Sequence, residues 1–219
     1  MIRLRKSFLV VLALAFAASC SHDEKVVAPT IANEALTTIQ LKLVNTTDAS
    51  DAPSAQWEQL LDNNGNPLPV DVSQANLTLR ANSTYNATMI MLDKSQDPVF
   101  NVSDEIRDRA NYHIFFYQPL PTAGSYVIPP PTGEDVYPDP IPTPVPDGSP
   151  LNLTVALTDY DTNNPPLPVG LESTFTTGAA GSGWLRIVLR HQPNVKDGTF
   201  APGSTDMDIG FNVTISVNQ

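Results

Sequence analysis

From Met207 to Val217 every second residue is apolar. Met207, Ile209, Phe211, Val213, Ile215 and Val217 alternate with a polar set that includes Asp206, Asp208, Asn212, Thr214 and Ser216. A period of two is the side-chain period of an extended strand, whereas a helix would scatter these residues around its axis. A strand with one apolar face must lay that face against a second layer, so this segment commits the chain to packed β structure. The same pattern recurs in Ile39, Leu41 and Leu43, and in Leu185, Ile187 and Leu189. In the latter segment Trp184, Arg186, Val188 and Arg190 take the opposite face. Shorter strand signals lie at Gln56–Leu61 around Trp57, Tyr112–Tyr117, Leu153–Leu157 and Leu171–Phe175. Asn76–Arg80 and Thr84–Leu92, separated by Ala81-Asn82-Ser83, read as a hairpin. Ser103, followed by Asp104 and Glu105, reads as the N-cap of one short helix ending near Asn111, with Glu105 and Arg109 spaced to pair along it. Eight or nine strands predict an all-β fold: an antiparallel β-sandwich, immunoglobulin-like or jelly-roll-like, with one short helix, and a β-barrel as the alternative.

Proline sets the domain plan. Of the chain's 21 prolines, 11 fall in residues 119–150, where the missing N–H groups argue against a sheet ladder and for a polyproline-rich loop. The predicted plan is a single β-sandwich domain over 35–219 with that loop at 119–150. A polar, aperiodic tether precedes the domain at 20–34.

The first nineteen residues have a separate logic. Arg3, Arg5 and Lys6 precede an apolar run from Phe8 to Ala18, which is shorter than the roughly 20 residues a permanent membrane span needs. The run ends in Ala17-Ala18-Ser19-Cys20. Charge, spacing and cysteine position together resemble the lipobox of bacterial lipoproteins. That resemblance implies removal of residues 1–19 as a signal peptide and lipidation of Cys20, with a diacylglyceryl thioether and further acyl chains as the anchor. Cys20 is the only cysteine, so an exported chain would otherwise carry a free thiol. Ser21-His22-Asp23-Glu24-Lys25 resembles the surface-export signal of Bacteroidota lipoproteins. It implies an outer-membrane location facing the cell surface, with a periplasm-facing one as the alternative.

Cleavage would remove Arg3, Arg5 and Lys6 and no acid, leaving nine Lys/Arg against 23 Asp/Glu and a net charge of −14. Such a surface repels nucleic acid, which is excluded as a partner. Gly-x-Ser-x-Gly, His-Glu-x-x-His and phosphate-binding glycine loops are all missing from the sequence. The sole cysteine is expected to be acylated, so the chain reads as non-enzymatic. His113, in phase with Phe115 and Tyr117, and His191, at the end of the Trp184 strand, are candidate ligands for a divalent metal together with Asp206 or Asp208. The competing reading makes them hydrogen-bonded strand-end residues. Asp62-Asn63-Asn64-Gly65-Asn66 and Asp159-Tyr160-Asp161-Thr162-Asn163 place oxygens on alternate residues, as calcium loops do, but lack the bidentate Glu and read first as turns. Trp57, Tyr117 and Trp184 offer ring faces for sugars or a partner, or close the core.

Several segments together resemble one group of proteins: Glu34-Ala35-Leu36-Thr37-Thr38-Ile39, Val102-Ser103-Asp104-Glu105-Ile106, Asn111-Tyr112-His113-Ile114-Phe115-Phe116-Tyr117, Leu189-Arg190-His191-Gln192-Pro193, Thr205-Asp206-Met207-Asp208-Ile209 and Phe211-Asn212-Val213-Thr214-Ile215. The group comprises Bacteroidota lipoproteins often labelled "type 1 periplasmic binding fold superfamily" and found beside TonB-dependent receptors. The resemblance spans most of residues 34–217, outside the proline-rich insertion. It implies a non-enzymatic, lipid-anchored binding protein that assists such a receptor in nutrient or metal uptake. The group's label implies strands alternating with long helices, whereas the residues here read as β. A structural or adhesive surface sandwich that binds other proteins is the alternative function.

Overall fold

The computed structural model describes residues 36–121 and 151–217. The expected signal peptide, lipidated Cys20 and tether, and residues 122–150 of the expected loop at 119–150, lie outside the described residues.

The elements run β1 (Thr38–Asn45), β2 (Ser54–Leu61), β3 (Pro67–Asp71), β4 (Asn76–Arg80), β5 (Thr84–Asp93), β6 (Phe100–Asn101), α1 (Val102–Asp108), a 3-10 turn (Ala110–Tyr112), β7 (His113–Pro121), β8 (Leu153–Leu157), β9 (Glu172–Thr177), β10 (Gly181–His191) and β11 (Ser204–Ser216). They form two sheets, ordered β3-β2-β1-β5-β9-β8, with β6 beside β5, and β4-β11-β10-β7. Neither order closes on itself, so the fold is a β-sandwich and the barrel alternative falls.

The core is the meeting of the alternating faces. Ile39, Leu41 and Leu43 of β1 lie with Tyr85, Ala87, Met89 and Met91 of β5, and face Leu185, Ile187 and Leu189 of β10 and Met207, Ile209, Phe211, Val213 and Ile215 of β11. Each such side chain withdrawn from water contributes about 1.5–3 kcal/mol.

Four expectations change. The predicted hairpin of β4 and β5 does not form. β4 runs parallel to β11 in one sheet, while β5 pairs with β1 and β9 in the other. The Ala81–Ser83 corner therefore carries the chain between layers, and the sandwich is antiparallel except for this one pair. Tyr85 fixes the corner: its hydroxyl accepts from Arg80 N at 2.7 Å and donates to Asp51 Oδ2 at 2.9 Å. Asn101, not Ser103, caps α1, accepting from Ser103 N. Ser103 is buried, and its hydroxyl receives the Met91 N–H at 2.7 Å, tying the helix to β5. Finally, β7 continues through Pro119 and Pro121, which stand opposite Leu185 and Gly183. This is possible because β7 is the last strand of its sheet, where a missing N–H leaves no ladder bond unmade. β3, with prolines at 67 and 69, gave no strand signal and forms one edge of the larger sheet.

Candidate functional site

At one end of the sandwich, the α1 corner meets the start of β7, the end of β10 and two loops, 158–171 and 192–203. The β7–β10 register sets His113 opposite His191, and their rings stack with centroids 4.9 Å apart and planes inclined by 13°. His113 is 4% exposed. Its Nδ1 lies 3.1 Å from the carbonyl oxygen of Arg109. A carbonyl only accepts, so Nδ1 carries the proton and Nε2 presents its lone pair. Burial first, and then the neighbouring His191, push the His113 pKa down to about 4, so the ring is neutral at pH 7.

The four proposed metal ligands are only partly brought together. His113 Nε2 stands 3.7 Å from Asp206 Oδ2. Imidazole lone pairs lie in the ring plane, so two rings stacked nearly parallel direct them along parallel planes that do not converge on one ion about 2.0–2.1 Å from each. Asp208 is engaged elsewhere: Arg186 grips both its oxygens, at 2.9 and 2.6 Å, and reaches Gln118 Oε1 at 3.0 Å. Among the described residues no group of three or more His, Cys, Asp or Glu is arranged to hold a metal ion. His113 is buried and hydrogen-bonded at the start of β7, and His191 is half-buried at the end of β10.

The calcium-like loops have internal occupants. Asp62 Oδ1 accepts from Asn64 N and Asn66 N, which closes the β2–β3 turn. In the second loop Asp159 accepts from Gly170 N and Leu171 N. Asp161 receives an ammonium: Lys196 Nζ lies 2.7 Å from Asp161 Oδ2, with the two side chains only 1% and 0% exposed. The same nitrogen donates to Ala110 O at 2.9 Å. Burial lowers the Lys196 pKa despite its carboxylate partner. For Asp161 burial acts upward, but the Lys196 ammonium and the N–H groups of Leu167 and Asn163 outweigh it and hold the pKa below the usual value. No sequence signal connects Lys196 to Asp161, which the sequence offered only within a calcium-like turn.

Loop 192–203 is pinned from beneath. Arg190 donates to Thr205 Oγ1 at 2.6 Å and Gly203 O at 2.9 Å, and its guanidinium sits 4.6 Å from the centre of the Phe200 ring. Gln192 donates to Thr199 O and Pro202 O. Gly203 has φ +83°, and a Cβ there would run into the carbonyl of His191, so only glycine lets the loop re-enter β11.

Beside this cluster a groove of about 560 Å³ opens between the α1 corner and loop 158–171, lined among others by Arg109, Asn111, Tyr112, Asp159, Tyr160 and Leu171. Tyr160 is 60% exposed at its edge. Of the aromatics singled out in the sequence, Trp57 is core at 4% exposure. Tyr117 donates to Gly170 O and packs edge-on against Phe175, and Trp184 is half-buried. Among the described residues the most exposed ring is instead Tyr160, hidden in the sequence inside a turn motif.

No protein-family model, curated protein or solved structure matches the chain.

Proposed function

We propose that this chain is a non-enzymatic, lipid-anchored binding protein of the bacterial outer membrane, facing the cell surface, that assists a TonB-dependent receptor in nutrient uptake. The observation that carries the reading is the N-terminal sequence: three cations, a short apolar run and Ala17-Ala18-Ser19-Cys20, with no second cysteine in 219 residues. A thioether on Cys20 together with acyl chains gives the two or more lipid tails that stable anchoring requires. Among the described residues no helix is long and apolar enough to cross a membrane. The groove edged by Tyr160 and Tyr112 offers a recess of ligand size beside a rigid β scaffold. The receptor partnership rests on the family resemblance alone.

The test is Cys20→Ser expressed in the native host. Loss of the protein from the membrane fraction, with retention of an uncut or soluble form, supports the anchor, while unchanged partitioning into detergent would sink it. Growth of a deletion strain on limiting nutrients, and co-purification of a receptor with the native protein, test the uptake role. The adhesive reading draws on a different feature. The β2–β3 arm exposes Leu60 (41%), Leu68 (44%) and, just past it, Val72 (55%), an apolar surface that suits protein contact.

A further inference from the structure

We propose that Lys196 and Asp161 close an intramolecular isopeptide bond, covalently joining loop 192–203 to loop 158–171. The loops belong to different layers: 158–171 links β8 to β9 in the larger sheet, and 192–203 links β10 to β11 in the smaller. The bond would staple the two sheets at one end.

Three features of the pair point to this chemistry. The first is proximity. Nζ lies 2.7 Å from Oδ2, and with a C–O bond of about 1.2 Å the nitrogen sits within about 4 Å of the carboxyl carbon. That is close to the roughly 3–3.5 Å of a reactive approach. The bond from Nζ to Ala110 O holds the amine in place. The second is burial. A fully enclosed ion pair recovers little of its desolvation cost, whereas a neutral amide in the same space carries no charge. Burial also favours the unprotonated amine, which is the nucleophile. The third is the set of donors on the acid. Asp161 Oδ1 accepts from Leu167 N at 2.8 Å and Asn163 N at 3.0 Å, while Asn163 Nδ2 reaches Oδ2 at 2.9 Å. Two backbone N–H groups on one carboxyl oxygen are placed to receive the charge of a tetrahedral intermediate.

The reaction balances without a co-reactant. A proton passes from Nζ to Oδ2 along their hydrogen bond, giving an amine and a carboxylic acid. The amine lone pair attacks Cγ, and the negative charge gathers on Oδ1. The Cγ–Oδ2 bond breaks as a second proton moves from nitrogen to Oδ2, and one water leaves. Nothing is oxidised or reduced. The donors that steady the intermediate also hold Asp161 ionised at the start, so the bond forms slowly, after folding. With a single cysteine the chain has no intramolecular disulfide available, and this link would supply the covalent staple that exported domains otherwise take from cystines.

The experiment is peptide mapping of the full-length protein purified from its own membranes. The expected result is a branched tryptic peptide joining the Asp161 and Lys196 segments, lighter than their sum by one water, with trypsin unable to cut after Lys196. A mixture of branched and linear forms supports the bond and gives its extent. Linear peptides carrying unmodified Asp161 and Lys196 as the whole of the material, unchanged after prolonged incubation, would overturn the proposal. Lys196→Gln should abolish the branched peptide. The native map decides the matter even if that variant does not fold.

Discussion

Acid should loosen this protein in a pH window set by one residue. His113 is neutral in the fold because burial and His191 disfavour its protonation, against the pull of the Arg109 carbonyl. Its pKa is about 4 in the folded chain against an ordinary 6.5. Across β10 and β11 the groups facing it are His191 and Asp206. For a base whose folded pKa is depressed, stability is intact above the unfolded pKa and is lost as pH falls from there toward the folded one. Each tenfold difference in proton affinity is worth about 1.4 kcal/mol, so the full loss is about 3 kcal/mol, of which about 2 kcal/mol has gone by pH 5. Carboxylates held low, such as Asp93, act in a separate window, because their contribution is intact above the ordinary value of 3.8. Urea unfolding at pH 7 and pH 5 measures the effect, comparing the wild type with His113→Asn. Asparagine keeps a donor for Arg109 O and cannot titrate in this range. The variant is expected to start less stable and to lose about 2 kcal/mol less than the wild type between the two pH values. An equal loss in both proteins would refute the reasoning.

Other perturbations have clear directions. Asp208→Ala removes the carboxylate partner of the buried Arg186 guanidinium and should cost about 3–5 kcal/mol by urea denaturation at pH 7, whereas a well-packed Arg186→Met, Asp208→Leu pair should recover most of it. Tyr85→Phe leaves the Arg80 N–H without its acceptor and should cost about 1–3 kcal/mol, read as a lower midpoint with unchanged slope. Phe211→Ala empties a fully buried position between the sheets, and a loss of about 3–5 kcal/mol is expected in the same assay. Gly203→Ala should destabilise through its positive φ and the His191 carbonyl, with circular dichroism showing the β content retained.

The layers were legible because alternation is a local signal. Ile39–Leu43, Leu185–Leu189 and Met207–Ile215 alternate along the sequence, and the same residues meet in the core. Pairing was not legible in the same way. Two strands joined by Ala81-Asn82-Ser83 look alike whether the chain folds back within a sheet or steps to the other one. What decides is the contact of β4 with β11, more than a hundred residues away. The site was legible only in part. His113 and His191 lie on strands whose phase could be read, but their stacking depends on the β7–β10 register. Lys196 and Asp161 sit in loops, where no periodicity says what a side chain meets.

The smaller sheet shows how polarity and exposure come apart. Arg186, Arg190 and Asp208 alternate with core residues and so read as solvent-facing, yet they are 1%, 3% and 1% exposed, and Val188 on the same face is fully buried. Alternation reports which residues are polar, not which are wet. The polar side chains on this buried face can specify what apolar packing alone leaves loose. Sliding β10 by two residues against β11 would keep every apolar side chain on its own face, so the hydrophobic pattern barely resists that error. It would, however, part Arg186 from Asp208 and leave two charges buried without each other, a cost of several kcal/mol. A buried pair of this kind adds little net stability over an apolar substitute. Its effect is on the alternatives, so the Arg186→Met, Asp208→Leu protein should remain stable while its β10–β11 cross-strand contacts, read by NMR, become heterogeneous. A single native register in that variant would show that the Leu189/Arg190 irregularity and the loop clamp at Arg190 suffice by themselves.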